Sequence, residues 1–185
     1  VFFGSNHTGI LEFQDDIAIA KYDHTTPNGP ESVFLTEAPS FKSVRNNGLA
    51  FDRTGNLWFT NSLVGNAMKV RKADGSWQSF SIAESVQTTN QNYANLVIDK
   101  NSTKWFASEN GLMGFNENTT PKFKKASSSD DAGNPFLNNV RTVAIDNNNR
   151  LWIGTLGGLR ILPGADRFLG EDELELNSII IIDAG

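Results

Sequence analysis

The chain has 185 residues, 38% of them hydrophobic, a formal net charge of −5 and no cysteine. That length suits one all-β domain or part of a larger one. The acidic balance argues against a nucleic-acid partner, which needs clustered Lys and Arg. The absence of cysteine excludes disulfides and thiolate metal sites, and no apolar run approaches the roughly 20 residues of a membrane span.

The first elements are three short apolar runs, residues 1–5, 10–13 and 17–22, at turn-sized spacing. Such spacing predicts an antiparallel meander. Residues 24–32 (HTTPNGPES) are turn-rich and read as a surface loop, with Phe34, Leu35 and Phe41 anchoring it to the body. The next unit runs from residue 46 to 92. An inner strand ends at Asp52, a second carries Trp58, a third covers residues 67–70 and an outer one residues 77–82. Its Ala73-Asp74-Gly75-Ser76 turn is a hairpin signal. Trp77, which opens the outer strand, reads as edge packing, with a recognition aromatic as the alternative.

Residues 93–139 repeat the plan with Asp99, Trp105, a third run at 112–115 and an outer run at 122–125. The basic cluster in that outer run reads as a solvated strand face. A long acidic loop, residues 127–139, reads as a connector. Residues 140–185 follow with Asp146, Trp152 and a third run at 159–162. A weaker outer strand is expected near residues 167–169. Residues 171–173 (EDE) read as a solvated loop, and residues 178–183 as the first run of a further unit.

These units are copies of one another. Trp58, Trp105 and Trp152 stand 47 residues apart, and Asp52, Asp99 and Asp146 each precede their Trp by six. A period of about 47 residues with four short strands per period is the mark of a β-propeller blade. The expected fold is all-β, a propeller fragment of about four blades of four-stranded antiparallel sheets. It forms one region over residues 1–185, with units near 1–45 (partial), 46–92, 93–139 and 140–185 (partial). The chain opens in the second strand of one unit and stops in the first turn of another, which reads as part of a larger propeller. In the alternative, residues 179–183 pair with residues 1–3 and join the ends.

The repeated residues read as structural. Gly48, Ala50, Ala94 and Ala144 keep the inner strands slim, and each Trp fills the space between neighbouring blades, an aromatic burial of roughly 150–250 Å². Each Asp is expected to accept backbone N–H bonds in its turn. Gly55, Asn101 or Ser102, and Asn148 or Asn149 then occupy positions of positive φ. One carboxylate per blade makes no metal array, and no D-x-D-x-D-G loop occurs.

Catalytic groups are few. The two histidines, His7 and His24, lie in loops, and no nucleophile or phosphate-loop motif is present. Gly154, Gly157 and Gly158 precede a strand and not a helix, so they read as turn formers. No catalytic residue, cofactor or metal is expected. The candidate ligand site is the face where loops between second and third strands gather: Asn6, His7, Asn61, Ser62, Glu109, Asn110, Thr155 and Leu156.

Asp146, Leu151, Trp152, Ile153, Gly154, Thr155, Gly158 and Leu159 together resemble the two-component regulator propeller repeat. Asp52, Gly55, Asn56, Leu57 and Trp58 fit the same pattern, as do Asp99, Trp105, Gly111 and Leu112. Thr60-Asn61 and Ala107-Ser108 depart from its Gly-Thr pair. The resemblance implies one of two settings. One is a PorZ-like surface component of the type IX secretion system in Bacteroidetes, handling lipopolysaccharide. The other is the periplasmic, glycan-sensing region of a hybrid two-component sensor kinase. Either implies an exported protein at the periplasm or cell surface, with a glycan, lipopolysaccharide or protein partner. Residues 54–61 (TGNLWFTN) also resemble repeats of streptogramin lyase, but the matching units carry none of the histidines that enzyme uses.

Overall fold

A computed structural model describes residues 1–34, 41–82, 91–127, 139–171 and 174–179. The chain divides into two compact units, Val1–Leu96 and Val97–Gly185. The first unit opens with β1 (Phe2–Ser5), β2 (Gly9–Gln14) and β3 (Ile17–Tyr22), an antiparallel sheet in that order. A four-stranded antiparallel sheet follows, built in sequence from β4 (Asn46–Phe51), β5 (Leu57–Asn61), β6 (Met68–Arg71) and β7 (Trp77–Phe80). β1 lies against β4. Gly4 permits this approach, because a Cβ there would sit 2.5 Å from the Leu49 Cδ1.

The unit boundary falls inside β8 (Tyr93–Ile98). β9 (Lys104–Ser108), β10 (Gly111–Phe115) and β11 (Phe123–Ser127) continue its sheet. β12 (Val140–Ile145), β13 (Leu151–Thr155) and β14 (Gly158–Leu162) form the last meander. A single-turn helix, α1 (Arg167–Gly170), and two short strands, β15 (Leu174–Glu175) and β16 (Asn177–Ser178), close the described chain. β15 pairs in parallel with β11, and β16 pairs antiparallel with β14. The fold is the expected β-propeller fragment, its sheets of three, four, five and four strands antiparallel except where β15 joins β11.

The core of the third blade shows why these strands form. Trp105, Phe106, Leu112, Met113 and Phe115 are all fully buried, so β9 and β10 bury both faces. Continuous apolar runs of this kind suit strands enclosed on both sides, where the hydrophobic effect outweighs intrinsic propensity. In the second unit β12 packs against β9 and β10.

One hydrogen-bond set recurs in all three complete turns. The aspartate Oδ1 accepts the N–H groups two and four residues on: Thr54 (2.9 Å) and Asn56 (3.0 Å) for Asp52. Asn101 and Thr103 do the same for Asp99, at 2.8 and 2.9 Å, and Asn148 and Arg150 for Asp146, at 2.9 and 3.0 Å. The N–H three residues on goes instead to the aspartate's own carbonyl, from Gly55, Ser102 and Asn149. Those three residues have φ of 84°, 64° and 60°, the left-handed conformations expected of the turn. Oδ2 accepts the indole N–H of the Trp six residues on: Trp58 at 2.8 Å, Trp105 at 3.1 Å, Trp152 at 2.9 Å. The fixed Asp-to-Trp interval was the sequence signal for that bond.

Three expectations need correction. Residues 167–169 are helix and not an outer strand. Phe168 is fully buried, edge-on to Trp105 at 5.6 Å, over Gly114, which lacks the Cβ that would obstruct it. Burying that ring decides the local conformation. The outer strand of the last blade is β16, so Ser178 belongs to this blade and does not start another; residues 180–185 lie outside the described residues. Within the basic cluster, Lys124 is half-buried and donates to the carbonyls of Phe168 (2.6 Å) and Glu171 (2.5 Å) at the end of α1. A cation there meets the helix's terminal carbonyls. The loop at residues 128–138, together with Leu35 and residues 172–173, lies outside the described residues.

Candidate ligand-binding site

Three of the four second-to-third-strand turns are closed by the side chain three residues after the Trp position: Ser5, Ser108 and Thr155. Ser5 Oγ accepts the N–H groups of His7 (3.2 Å) and Thr8 (3.1 Å). Ser108 and Thr155 donate their hydroxyls to the carbonyls of Gly111 and Gly158, both at 2.7 Å. The Thr155 hydroxyl is therefore committed to its own hairpin, while Leu156 beside it is 70% exposed. Glu109 is exposed and Asn110 half-buried on the β9–β10 turn.

In the first unit, one segment ties two of these turns together. Val44 bonds His7, and the Arg45 carbonyl accepts the Ser62 N–H (2.8 Å) and the Asn61 Nδ2 (3.3 Å). Asn6 and His7 are exposed there, with His7 Nδ1 3.0 Å from Ser43 Oγ. Asn61 and Ser62 are fully buried. Asn61 Oδ1 accepts the Glu31 N–H at 2.6 Å, and Ser62 Oγ accepts the Tyr93 N–H at 3.0 Å. Both side chains hold neighbouring chain segments.

A cleft of about 610 Å³ lies beside these turns in the first unit. One wall is the loop read from sequence as surface. Instead, Gly29, Pro30 and Ser32 are buried in it, against the second blade. Glu31 is the fastener. Its Oε1 accepts from Lys69 Nζ at 2.7 Å and Asn66 Nδ2 at 3.1 Å. Lys69 is fully buried in β6, also 2.9 Å from Ser79 Oγ, and its pKa is lowered by burial, against the pull of Glu31. The opposite wall is Trp77, Gln78 and Ser79 of β7. Trp77 is half-buried, its ring 5.2 Å from Tyr22 and edge-on to Phe59 at 6.0 Å. Trp77 is packed against its neighbours, as the edge reading has it, and it also lines the cleft. Lys69 aligns, through strand register, with Met113 and Arg160 in the other blades. A charged residue at a core repeat position was the signal that could have exposed this loop as docked.

The architecture is that of a β-propeller fragment, and within it residues 135–157 match the model of the two-component regulator propeller family. It is similar in structure to PorZ of Porphyromonas gingivalis, described as an essential surface component of the type IX secretion system, with 25% identity over 96% of this chain and a TM-score of 0.75. It is also similar to the extracellular domain of the hybrid two-component system BT4673 of B. thetaiotaomicron, with 12% identity over 98% of the chain and a TM-score of 0.61. A second structure of the BT4673 extracellular domain aligns over 100% of the chain, with 14% identity and a TM-score of 0.53. The chain spans 25%, 21% and 25% of the lengths of these three structures. No curated protein sequence matches it significantly.

Proposed function

We propose that this chain is a non-catalytic binding and scaffold module of an exported Bacteroidetes protein, PorZ-like, that engages glycan or lipopolysaccharide at the cell surface. The observation that carries the reading is the similarity to PorZ, at 25% identity and a TM-score of 0.75 over nearly the whole chain. The non-catalytic part is supported by the repeat aspartates, whose oxygens are occupied by their own turns and tryptophans. Purified lipopolysaccharide and a glycan array, applied to the intact propeller, test it: retention of either supports the reading, and indifference to both sinks it.

The likeness to the BT4673 extracellular domain favours a second reading, a ligand-sensing module of a hybrid sensor kinase. The sequence flanking this chain separates the two. A membrane span and kinase domain downstream sink the PorZ-like reading, and a C-terminal secretion-sorting β-sandwich sinks the sensor reading. For a lyase, His7→Ala and metal removal are the test; absent or unchanged turnover ends that idea. The eight turn residues named from sequence remain proposals, with Asn6, His7, Glu109 and Leu156 the exposed ones among them.

A further inference from the structure

We propose that the cleft between residues 24–34 and β7 binds an uncharged saccharide, with Trp77 as its stacking platform. This deepens the glycan-binding reading and rests on it, and it moves the site from the turn face to the outer strand of the second blade. The volume of about 610 Å³ falls within the roughly 300–1,000 Å³ of small-molecule sites.

The chemistry of the lining selects the ligand. Beside Trp77 and Phe34 stand amide, hydroxyl and carboxylate groups: Asn66, Gln78, Ser79, Thr26 and Glu31. A purely apolar ligand would strip water from the remaining donors and acceptors of these groups, at a cost. An anion would need converging cations. Lys42 is the ammonium in the lining, and its Nζ already donates to the Phe34 carbonyl at 3.0 Å. Lys69 is buried and held by Glu31, whose carboxylate would repel an anion. A saccharide carries apolar C–H faces and a dense set of hydroxyls, which matches an aromatic surface bordered by neutral polar groups.

Two groups make the fit specific. Trp58, Trp105 and Trp152 each donate their indole N–H to an aspartate. Among the described residues, the Trp77 indole N–H has no protein acceptor, so an amphipathic ring keeps a donor available at the cleft. Glu31 is fixed through Oε1 by Lys69 and Asn66. Its Oε2 accepts no hydrogen bond among the described residues, leaving a pre-oriented acceptor for sugar hydroxyls. Charge-assisted bonds of this kind are about twice as strong as neutral ones. Preorganisation by the loop lowers the ordering cost of binding.

The test titrates the full chain with maltotriose, cellotriose, chitotriose and inorganic phosphate, followed by calorimetry and by the NMR indole N–H signals. A trisaccharide is expected to bind and to shift the Trp77 signal while those of Trp58, Trp105 and Trp152 stay in place. Trp77→Phe keeps a ring without the donor, and Gln78→Ala removes an exposed amide. Each should weaken binding about 2–10-fold, the worth of one hydrogen bond, with the other three indole signals reporting an intact fold. If a trisaccharide binds with Trp77 unmoved and both variants unaffected, the glycan reading survives and this cleft is the wrong place. If phosphate shifts Trp77 and competes with the sugar, the cleft is an anion site and the proposal is overturned. If neither these trisaccharides nor a glycan array registers binding, this assignment and the glycan reading fall together.

Discussion

The second and third blades carry the same turn, the same six-residue Asp-to-Trp bond and opposite electrostatics. Burial pushes Asp52 up, but bonds from Trp58, Asn56 and Thr54 outweigh it and hold the carboxyl well below the usual range. Asp99 accepts a smaller set, the Trp105 indole N–H and the backbone N–H groups of Thr103 and Asn101, and there burial dominates and its pKa is raised. Asp99 is only 5% exposed, whereas Asp52 is partly exposed. The three bonds common to both turns therefore do not fix the group's chemistry. The depth at which the blade holds it, and the two further side-chain bonds that Asp52 accepts from Thr54 Oγ1 and Asn56 Nδ2, do.

The largest effect expected from this comparison is in the third blade. Trp105→Ala should cost about 3–5 kcal/mol in urea unfolding, because the ring is wholly enclosed. Trp152→Ala, at a half-exposed ring, should cost about 1–3 kcal/mol by the same measure. Equal losses would show that the shared bond, and not depth, controls these sites.

Next comes the inner strand. Gly48 has φ of 61°, and a Cβ there would lie 2.5 Å from the Ala94 carbonyl oxygen. The third blade has Asn95 at the matching distance from its aspartate. Gly48→Asn should therefore destabilise by about 2–3 kcal/mol in denaturant melts, combining backbone strain with the clash. A neutral outcome would mean that the two inner strands are interchangeable.

Smaller effects should follow from removing each charge at pH 7. Asp52→Asn should lose about 1–2 kcal/mol, since it exchanges charged acceptors for neutral ones. Asp99→Asn should lose less, under about 1 kcal/mol, because its charged form is already disfavoured by burial. Urea midpoints in the opposite order would break the comparison.

Acid titration sharpens it further. Asp146 is lowered to about 2, chiefly by the Trp152 hydrogen bond. Lowered groups such as Asp52 and Asp146 stabilise the fold above the unfolded value of about 3.9. They lose that contribution as pH falls through their folded values. Asp99 is raised, so its contribution is complete below about 3.9 and is lost as pH rises through its folded value. On acidification the Trp105 indole N–H signal should move first, and that of Trp152 only near pH 2. Simultaneous shifts would contradict the difference in burial.

Much of the fold was legible because the repeat is written in residues that must recur. The Trp, the Asp and the residue of positive φ recur in each complete turn, and alternation placed the strands between them. The sequence was silent where tertiary contacts override local preference. Residues 167–169 became a helix to bury Phe168 against Trp105. The loop at residues 24–32 looks like a solvated connection because Gly, Pro and Thr dominate it. Contacts distant in sequence dock it: Glu31 meets Lys69, 38 residues away, and its N–H meets Asn61. The cleft was hidden for the same reason, since its two walls are distant in sequence. Asn61 and Ser62 illustrate the converse: polar residues in a turn suggest a ligand, but here their bonds go to Glu31 and Tyr93.

The bond from each Trp to its Asp spans a contour so short that closing it costs little chain entropy. It asks nothing of residues made later. Each hairpin thus carries its own mark of register, independent of the blade it packs on. The Asp–Trp bond is then a local ruler: it says which residues of two adjoining strands belong opposite each other, and leaves the holding of them to the packing of blades.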